Sequence, residues 1–275
     1  MRRYLRAMLI VGLASLLAAA AAAAQETLTG DEILARVERQ GQQQDGSFAA
    51  VMVTDTVHPD GSTTSLSSAV FVRSVEDVAT HMLIYILEPE LDRGFTVLVW
   101  AVEGEDSRFW VLLPAIGAPK ELDAEQQEGS FQGTTFSYGD FGSEEISSDY
   151  TAELLREEAV TVGDASRNAY VLEIHAQPDA DVDYPQGTLW IDTEEFLILR
   201  GEYVNESGNL ASTFSVVALG EFEGDLVANG FVEEEVLTGK RSTTTFTTRI
   251  RLDELPDEVF DPEQLPSFNP ADWGV

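Results

Sequence analysis

The chain has 275 residues, with 49 acidic against 16 basic side chains, a net charge of −33 and no cysteine. A polyanion of this kind is repelled by nucleic acid and by anionic membrane surfaces, so neither is an expected partner. Disulfides are excluded, and a chain of this length can bury a sufficient core without them.

The start, MRRYLRAMLIVGLASLLAAAAAAAQE, reads as a leader for export. Arg2, Arg3 and Arg6 give a basic beginning, an uncharged run follows, and Ala22, Ala23 and Ala24 satisfy the small-residue rule for cleavage before Gln25. The run is about long enough to span a bilayer, but its second half is nearly all alanine and only weakly apolar. Cleavage is therefore expected over an uncleaved anchor. Residues 25–275 contain no linker and are expected to form a single exported domain in the periplasm.

The first element expected after the leader is a helix in LTGDEILARVERQG. Thr29 caps it, Glu32 reaches back to complete a capping box, and Leu28 and Ile33 stand at the hydrophobic-staple positions. Ile33, Leu34 and Val37 form one apolar stripe, and Gly41 is expected to end the helix.

Strands then dominate. They are expected at 48–57, 66–74, 80–87, 94–102, 107–113, 168–176, 187–192, 196–204, 210–220, 226–237 and 241–252. Turn signals separate several of them: HPDG at 58–61, EPELDRG at 88–94, NESGN at 205–209 and TGK at 238–240. Short turns at regular spacing predict an antiparallel meander and argue against a doubly wound α/β fold.

The strands are of two kinds. Near the C-terminus, Phe246, Thr248, Ile250 and Leu252 alternate with Thr247, Arg249 and Arg251, the pattern of a sheet with one wet face. MLIYIL at 82–87 and FTVLVWAV at 95–102 scarcely alternate, so both of their faces are apolar. One face then packs into a core, and the other lines an apolar cavity or lies under a cover. An ordinary thick β-core is the simpler alternative.

Signals for catalysis are thin. His58 falls in a turn, His81 begins a strand and His175 lies within one, without metal-ligand spacing, and each is expected at a surface or edge. DADVD at 179–183 opens like a calcium loop, but Tyr184 stands where the turn glycine belongs and Trp190 where the closing acid belongs. Acid pairs such as Glu144 with Glu145, or Glu194 with Glu195, are too common here to single out. No cofactor or metal is expected. The acids are dispersed and lysine is confined to Lys120 and Lys240, a composition suited to high salt or simply to an acidic exported protein.

The run DRGFTVLVWAVEGEDSRFWVLLPAIGAPKEL, followed by SFQGTTFSYGDF at 130–141, resembles the outer-membrane lipoprotein-sorting proteins, relatives of the periplasmic lipoprotein carrier LolA. In that family a Trp-x-Tyr-Leu-Pro element precedes a Ser-Phe-x-Gly-(Ser/Thr)-x-Phe-(Ser/Thr)-Tyr-x-Asp-(Leu/Phe) element. Here the first is Trp110, Val111, Leu112, Leu113 and Pro114, with leucine replacing tyrosine, and the second matches from Ser130 through Phe141. TLWIDTEEFLILRGEYVNESGNL resembles the family's later Trp-Ile-Asp strand and the turn beyond it. The segment AIGAPKELDAEQQ departs from relatives in which that stretch is commonly basic.

The resemblance implies a mainly β fold with a few helices: a strongly curved antiparallel sheet, an incomplete β-barrel, closed by helices and loops over an apolar cavity. It implies a periplasmic carrier, not an enzyme, for acyl chains of lipoproteins or lipids in transit to the outer membrane, served by an inner-membrane transporter and an outer-membrane acceptor. An accessory module for another hydrophobic ligand or for a membrane transporter, and a secreted hydrolase with an unrecognised site, are the alternatives. Candidate cavity or rim residues are Phe95, Trp100, Trp110, Leu112, Phe131, Phe136, Tyr138 and Phe141. Within SFQGTTFSYGDF, Gly133 and Gly139 are expected to permit tight turns, and the hydroxyls and Asp140 to satisfy backbone groups there.

Overall fold

Helix α1, Gly30–Gln42, begins where the sequence places it. The computed structural model describes residues 28–42, 46–75, 79–102, 104–142, 146–178, 180 and 182–275; the leader, Glu144, Glu145 and part of DADVD lie outside them. The capping box is formed in both directions: the Glu32 amide donates to Thr29 Oγ1 at 3.2 Å, and the Thr29 amide donates to Glu32 Oε2 at 2.8 Å. Ile33 and Leu34 are fully buried, and Leu28 and Val37 pack beside them. Gly41 does not end the helix, which runs on by one residue to Gln42, a difference of the size that helix ends ordinarily show.

Thirteen strands follow in one sheet: β1 Ser47–Val57, β2 Thr63–Val75, β3 Ala79–Glu88, β4 Thr96–Val102, β5 Arg108–Leu112, β6 Pro119–Glu121, β7 Tyr150–Val162, β8 Ala165–Ala176, β9 Gln186–Asp192, β10 Ile198–Val204, β11 Leu210–Phe222, β12 Asp225–Glu235 and β13 Lys240–Leu252. Two short helices, α2 Ala124–Gln127 and α3 Ile146–Asp149, lie between β6 and β7. The sheet order is β6-β5-β4-β3-β2-β1-β13-β12-β11-β10-β9-β8-β7, with every described pairing antiparallel. Two meanders therefore meet where β1 pairs with β13, and the sheet stays open, with β6 and β7 as its edges.

Two strands escape the sequence pattern. β6 has three residues, too few for any period. β7, YTAELLREEAVTV, carries helix-favouring Glu, Leu and Arg, yet it pairs with β8 along its whole length and turns most of its charged side chains to solvent. Charge on an exposed edge strand also guards it against unwanted pairing.

The registers define two faces. Val111, Val97, Ile84, Val70 and Ala50 share one face, which continues across Thr54, Thr244, Phe231, Phe214, Leu189 and Leu172. This inner face is covered at one end by residues 122–141 and at the other by α1. The outer face of β2–β5 carries Phe71, Leu83, Leu98 and Trp110 and is covered by residues 255–275, which run mostly in 3-10 turns. The two-sided apolar strands are explained here: Ile84, Ile86, Val97 and Val99 face inward, while Leu83, Tyr85, Leu98 and Trp100 face outward, and each face has its own cover.

Candidate ligand-binding face

The segment SFQGTTFSYGDF folds into a compact cover held by its own hydroxyls. Ser130 Oγ donates to the Thr134 carbonyl at 2.7 Å, Thr134 Oγ1 to the Phe131 carbonyl at 2.7 Å, and the Phe131 amide to the Phe136 carbonyl at 2.7 Å. Ser137 and Asp140 cap each other: the Ser137 amide donates to Asp140 Oδ2 at 2.6 Å, and the Asp140 amide to Ser137 Oγ at 3.2 Å. Gly133 adopts a left-handed φ of 79°, which only glycine tolerates freely. Gly139 does not turn in that way; it opens a 3-10 turn over Gly139–Phe141, and Gln132 takes the second left-handed position instead, with φ 50°. Desolvation by the packed segment around it raises the Asp140 carboxyl pKa from its ordinary value even though the residue itself reaches solvent, the Ser137 hydrogen bonds oppose this, and Asp183 adds to the rise.

This cover is tied to the centre of the sheet. The Thr135 amide donates to Ser242 Oγ at 3.0 Å, Thr135 Oγ1 to Glu233 at 3.0 Å, and Lys240 Nζ to the Thr134 carbonyl at 3.2 Å. Below these polar contacts the inner face is aromatic. Phe136 meets Phe231 edge-on at 6.0 Å between ring centres, and Phe231 in turn lies 5.4 Å from Phe214 and 6.4 Å from Phe246. All four rings are half-buried. Phe214, Phe231 and Phe246 form a row across β11, β12 and β13, and Phe136 of the 122–141 cover meets it at Phe231.

The predicted site residues fall into two groups. Phe95, Phe131, Phe136, Tyr138 and Phe141 come together on the inner face of β2–β5. Phe131 is 1 % exposed and serves as the hub of that cluster, 5.8 Å from Tyr138 and 5.0 Å from Phe141. Trp100, Trp110 and Leu112 stand on the outer face, where Trp100 Nε1 donates to the Phe260 carbonyl at 2.9 Å under the C-terminal cover. They are separated from the others by the thickness of the sheet. The sequence does not single out Phe214, Phe231 or Phe246: Phe246 lies on a strand that reads as having one wet face, and only the register places the three rings beside Phe136.

The histidines are dispersed. His58 is hydrogen-bonded to Thr64 at 2.9 Å, and His175 is exposed on β8, 3.6 Å from Glu173. His81 departs from the expectation of a surface position, because it is half-buried against Trp100 and Phe260, each 5.5 Å away between ring centres. Among the described residues no group of three or more His, Asp or Glu is arranged to hold a metal ion. A cleft of about 360 Å³ lies on the outer face beside Glu158, Trp190, Leu199 and Arg200. Its charges are paired with neighbours, Glu158 with Arg156 and Arg200 with Glu202.

Residues 79–267 match the model of a family described only as uncharacterized protein. The chain belongs to this family. Among solved structures, a DUF1329 family protein from Desulfovibrio piger superposes with a TM-score of 0.75 at 18 % identity, covering 86 % of this chain and 98 % of that one. A putative outer membrane lipoprotein-sorting protein domain from Vibrio parahaemolyticus gives 0.75 at 21 % identity over the same shares. A LolA superfamily protein from Nitrosomonas europaea gives 0.62 at 23 % identity, again over 86 % and 98 %. No curated protein sequence matches the chain. At these identities the likeness establishes the fold: a mainly β, unclosed antiparallel sheet shared with lipoprotein-sorting and LolA superfamily proteins.

Proposed function

We propose that this protein is a periplasmic carrier that binds acyl chains of lipoproteins or lipids in transit to the outer membrane. The observation that carries this reading is the row of half-buried rings Phe214, Phe231 and Phe246 on the inner face, met by Phe136 from the cover above it. Half-buried aromatic rings gain contact area when an apolar chain is laid against them, and they require no rearrangement of the sheet. Each methylene removed from water contributes about 0.8 kcal/mol, so a 16-carbon chain contributes on the order of 12 kcal/mol before ordering costs. Binding is then easy and release is the difficult step. The cover at 130–141 is joined to the central strands by hydrogen bonds with Ser242, Glu233 and Lys240, polar contacts whose release would free the cover from β12 and β13. An inner-membrane transporter and an outer-membrane acceptor are the partners such a cycle requires. The leader fits this reading, with cleavage before Gln25 and residues 25–275 as the mature domain.

Native mass spectrometry of protein purified from its own cell envelope tests the reading. A retained lipid or lipoprotein, and saturable uptake of a fluorescent acyl probe by delipidated protein, are expected. Protein that carries no amphiphile and takes up no probe would rule the carrier out. Retention of an apolar molecule without an acyl chain would favour an accessory module for another hydrophobic ligand.

A further inference from the structure

The β12–β13 ladder stops short. It runs from Glu235 opposite Lys240 to Gly230 opposite Thr245, while β13 continues beside β1 as far as Leu252 and β12 continues beside β11 as far as Asp225. The sheet therefore parts between the lower halves of β12 and β13. A bulge in β13 at Thr247 puts Arg249 opposite Ala50, so its side chain lies on the inner face with Phe246.

Arg249 spans this opening. Its Nη2 donates to the Ala228 carbonyl at 2.7 Å, its Nη1 donates to Asn229 Oδ1, and its guanidinium lies 4.2 Å from the centre of the Phe246 ring. Asn229 lies flat across Gly220, where a Cβ would come within 2.0 Å of its amide nitrogen, so glycine is what gives it room. Phe48 and Phe222 meet at 6.1 Å at the same end of the sheet.

The charge on this group has no counterpart. Both acceptors are neutral, and among the described residues no carboxylate pairs with it. The comparably half-buried Arg73 and Arg167 each hold a carboxylate, in a chain with 49 acids available. Burial alone draws the Arg249 pKa below the ordinary arginine value. Removing a cation from water without an anion is costly, and a guanidinium has five N–H donors in a planar fork suited to carboxylate or phosphate. The cation stands at the foot of the aromatic row, so one ligand with an apolar chain and an anionic end fits both features.

We propose that Arg249, with the amide nitrogen of Asn229, receives the anionic head group, carboxylate or phosphate, of an amphiphile whose chain lies along Phe246 and Phe231. This rests on the carrier reading and narrows it from acyl chains in general to anionic amphiphiles. The protein's overall negative charge opposes such ligands at long range, but at about 0.15 M salt that repulsion is screened beyond roughly 8 Å, whereas a half-buried contact is not.

The test is calorimetric titration of delipidated protein with laurate, dodecyl phosphate, dodecanol and inorganic phosphate in such a buffer. The native protein is expected to bind laurate and dodecyl phosphate at least about tenfold more tightly than dodecanol, as a charge-assisted hydrogen bond allows. In Arg249→Met the three alkyl ligands are expected to converge, with dodecanol unchanged, while Arg249→Lys keeps part of the preference. Equal affinities in the native protein, or an undiminished preference in Arg249→Met, would overturn the head-group site and leave the carrier standing. If no alkyl ligand binds, both fall. Inorganic phosphate binding as tightly as dodecyl phosphate would identify a free-anion site and overturn the amphiphile. Should Arg249→Met fail to fold, the native ranking decides alone.

Discussion

The guanidinium of Arg73 lies 4.8 Å from the centre of the Phe260 ring. The same side chain donates to the Leu255 carbonyl and to Asp257 Oδ1, each at 2.8 Å, and lies 3.0 Å from His81 Nδ1. One β2 residue thus fastens the final segment of the chain over the outer face. His81 shares the joint, and burial first, then the Arg73 charge, lower its pKa below 6.5, with Asp257 opposing.

The sign of the resulting pH dependence is fixed by that shift. A histidine whose folded pKa is lowered binds a proton more readily when unfolded, so its contribution is fully present above about pH 6.5 and is lost as pH falls toward the lowered value. Melts between pH 8 and 5 should show His81→Gln losing less stability than the native protein on acidification. The C-terminal segment should become susceptible to carboxypeptidase over the same interval. Parallel pH profiles for the two proteins would contradict this.

Asp192 sits at the end of β9 with its side chain 1 % exposed, bridged twice by Arg167 at 2.7 and 2.9 Å. Its Oδ1 also accepts the amides of Glu194 and Glu195. Burial would raise its pKa, but Arg167 and those amides outweigh burial and hold it below the usual value. Arg167→Ala leaves a buried carboxylate unpaired and should cost about 3–5 kcal/mol in denaturant unfolding at pH 7. The contribution of Asp192 should fade only as pH falls below about 4, toward the lowered pKa.

Phe131 and Phe136 should separate stability from binding. Phe131→Ala empties a fully enclosed site and should cost about 3–5 kcal/mol. Phe136→Ala and Phe231→Ala remove half-buried rings and should lower uptake of a fluorescent acyl probe several-fold with a much smaller shift in melting. If all three variants lose stability and none selectively loses uptake, the aromatic row is scaffold.

Salt should stabilise the protein. Seven bases among the described residues already pair with carboxylates: Arg73, Arg93, Arg108, Arg156, Arg167, Arg200 and Lys240. The large surplus of acids is left to repel itself. Added ions screen that repulsion, so the melting midpoint should climb through molar sodium chloride, beyond the concentration at which surface pairs are screened. A flat or falling midpoint would show that the acidity is not an adaptation to salt.

The sequence by itself determined the local chemistry. The Thr29–Glu32 box, the apolar stripe of α1, most strands and the hydroxyl-rich turns of 130–141 follow from residues a few positions apart, so spacing alone expresses them. The two-sided apolarity of β3 and β4 was equally plain. What covers each face was not, because the Phe131 hub lies inward while residues 255–275 close the outside. Only the tertiary structure decided that Trp100 and Trp110 stand across the sheet from Phe131, since a strand's alternate side chains take opposite faces and the register fixes which. It alone brought Phe136 to Phe231, nearly a hundred residues apart, and left Arg249 in an opening between strands that the sequence read as an unbroken pair. Long-range register and the end of a ladder depend on how whole strands align, and no short stretch of chain records that.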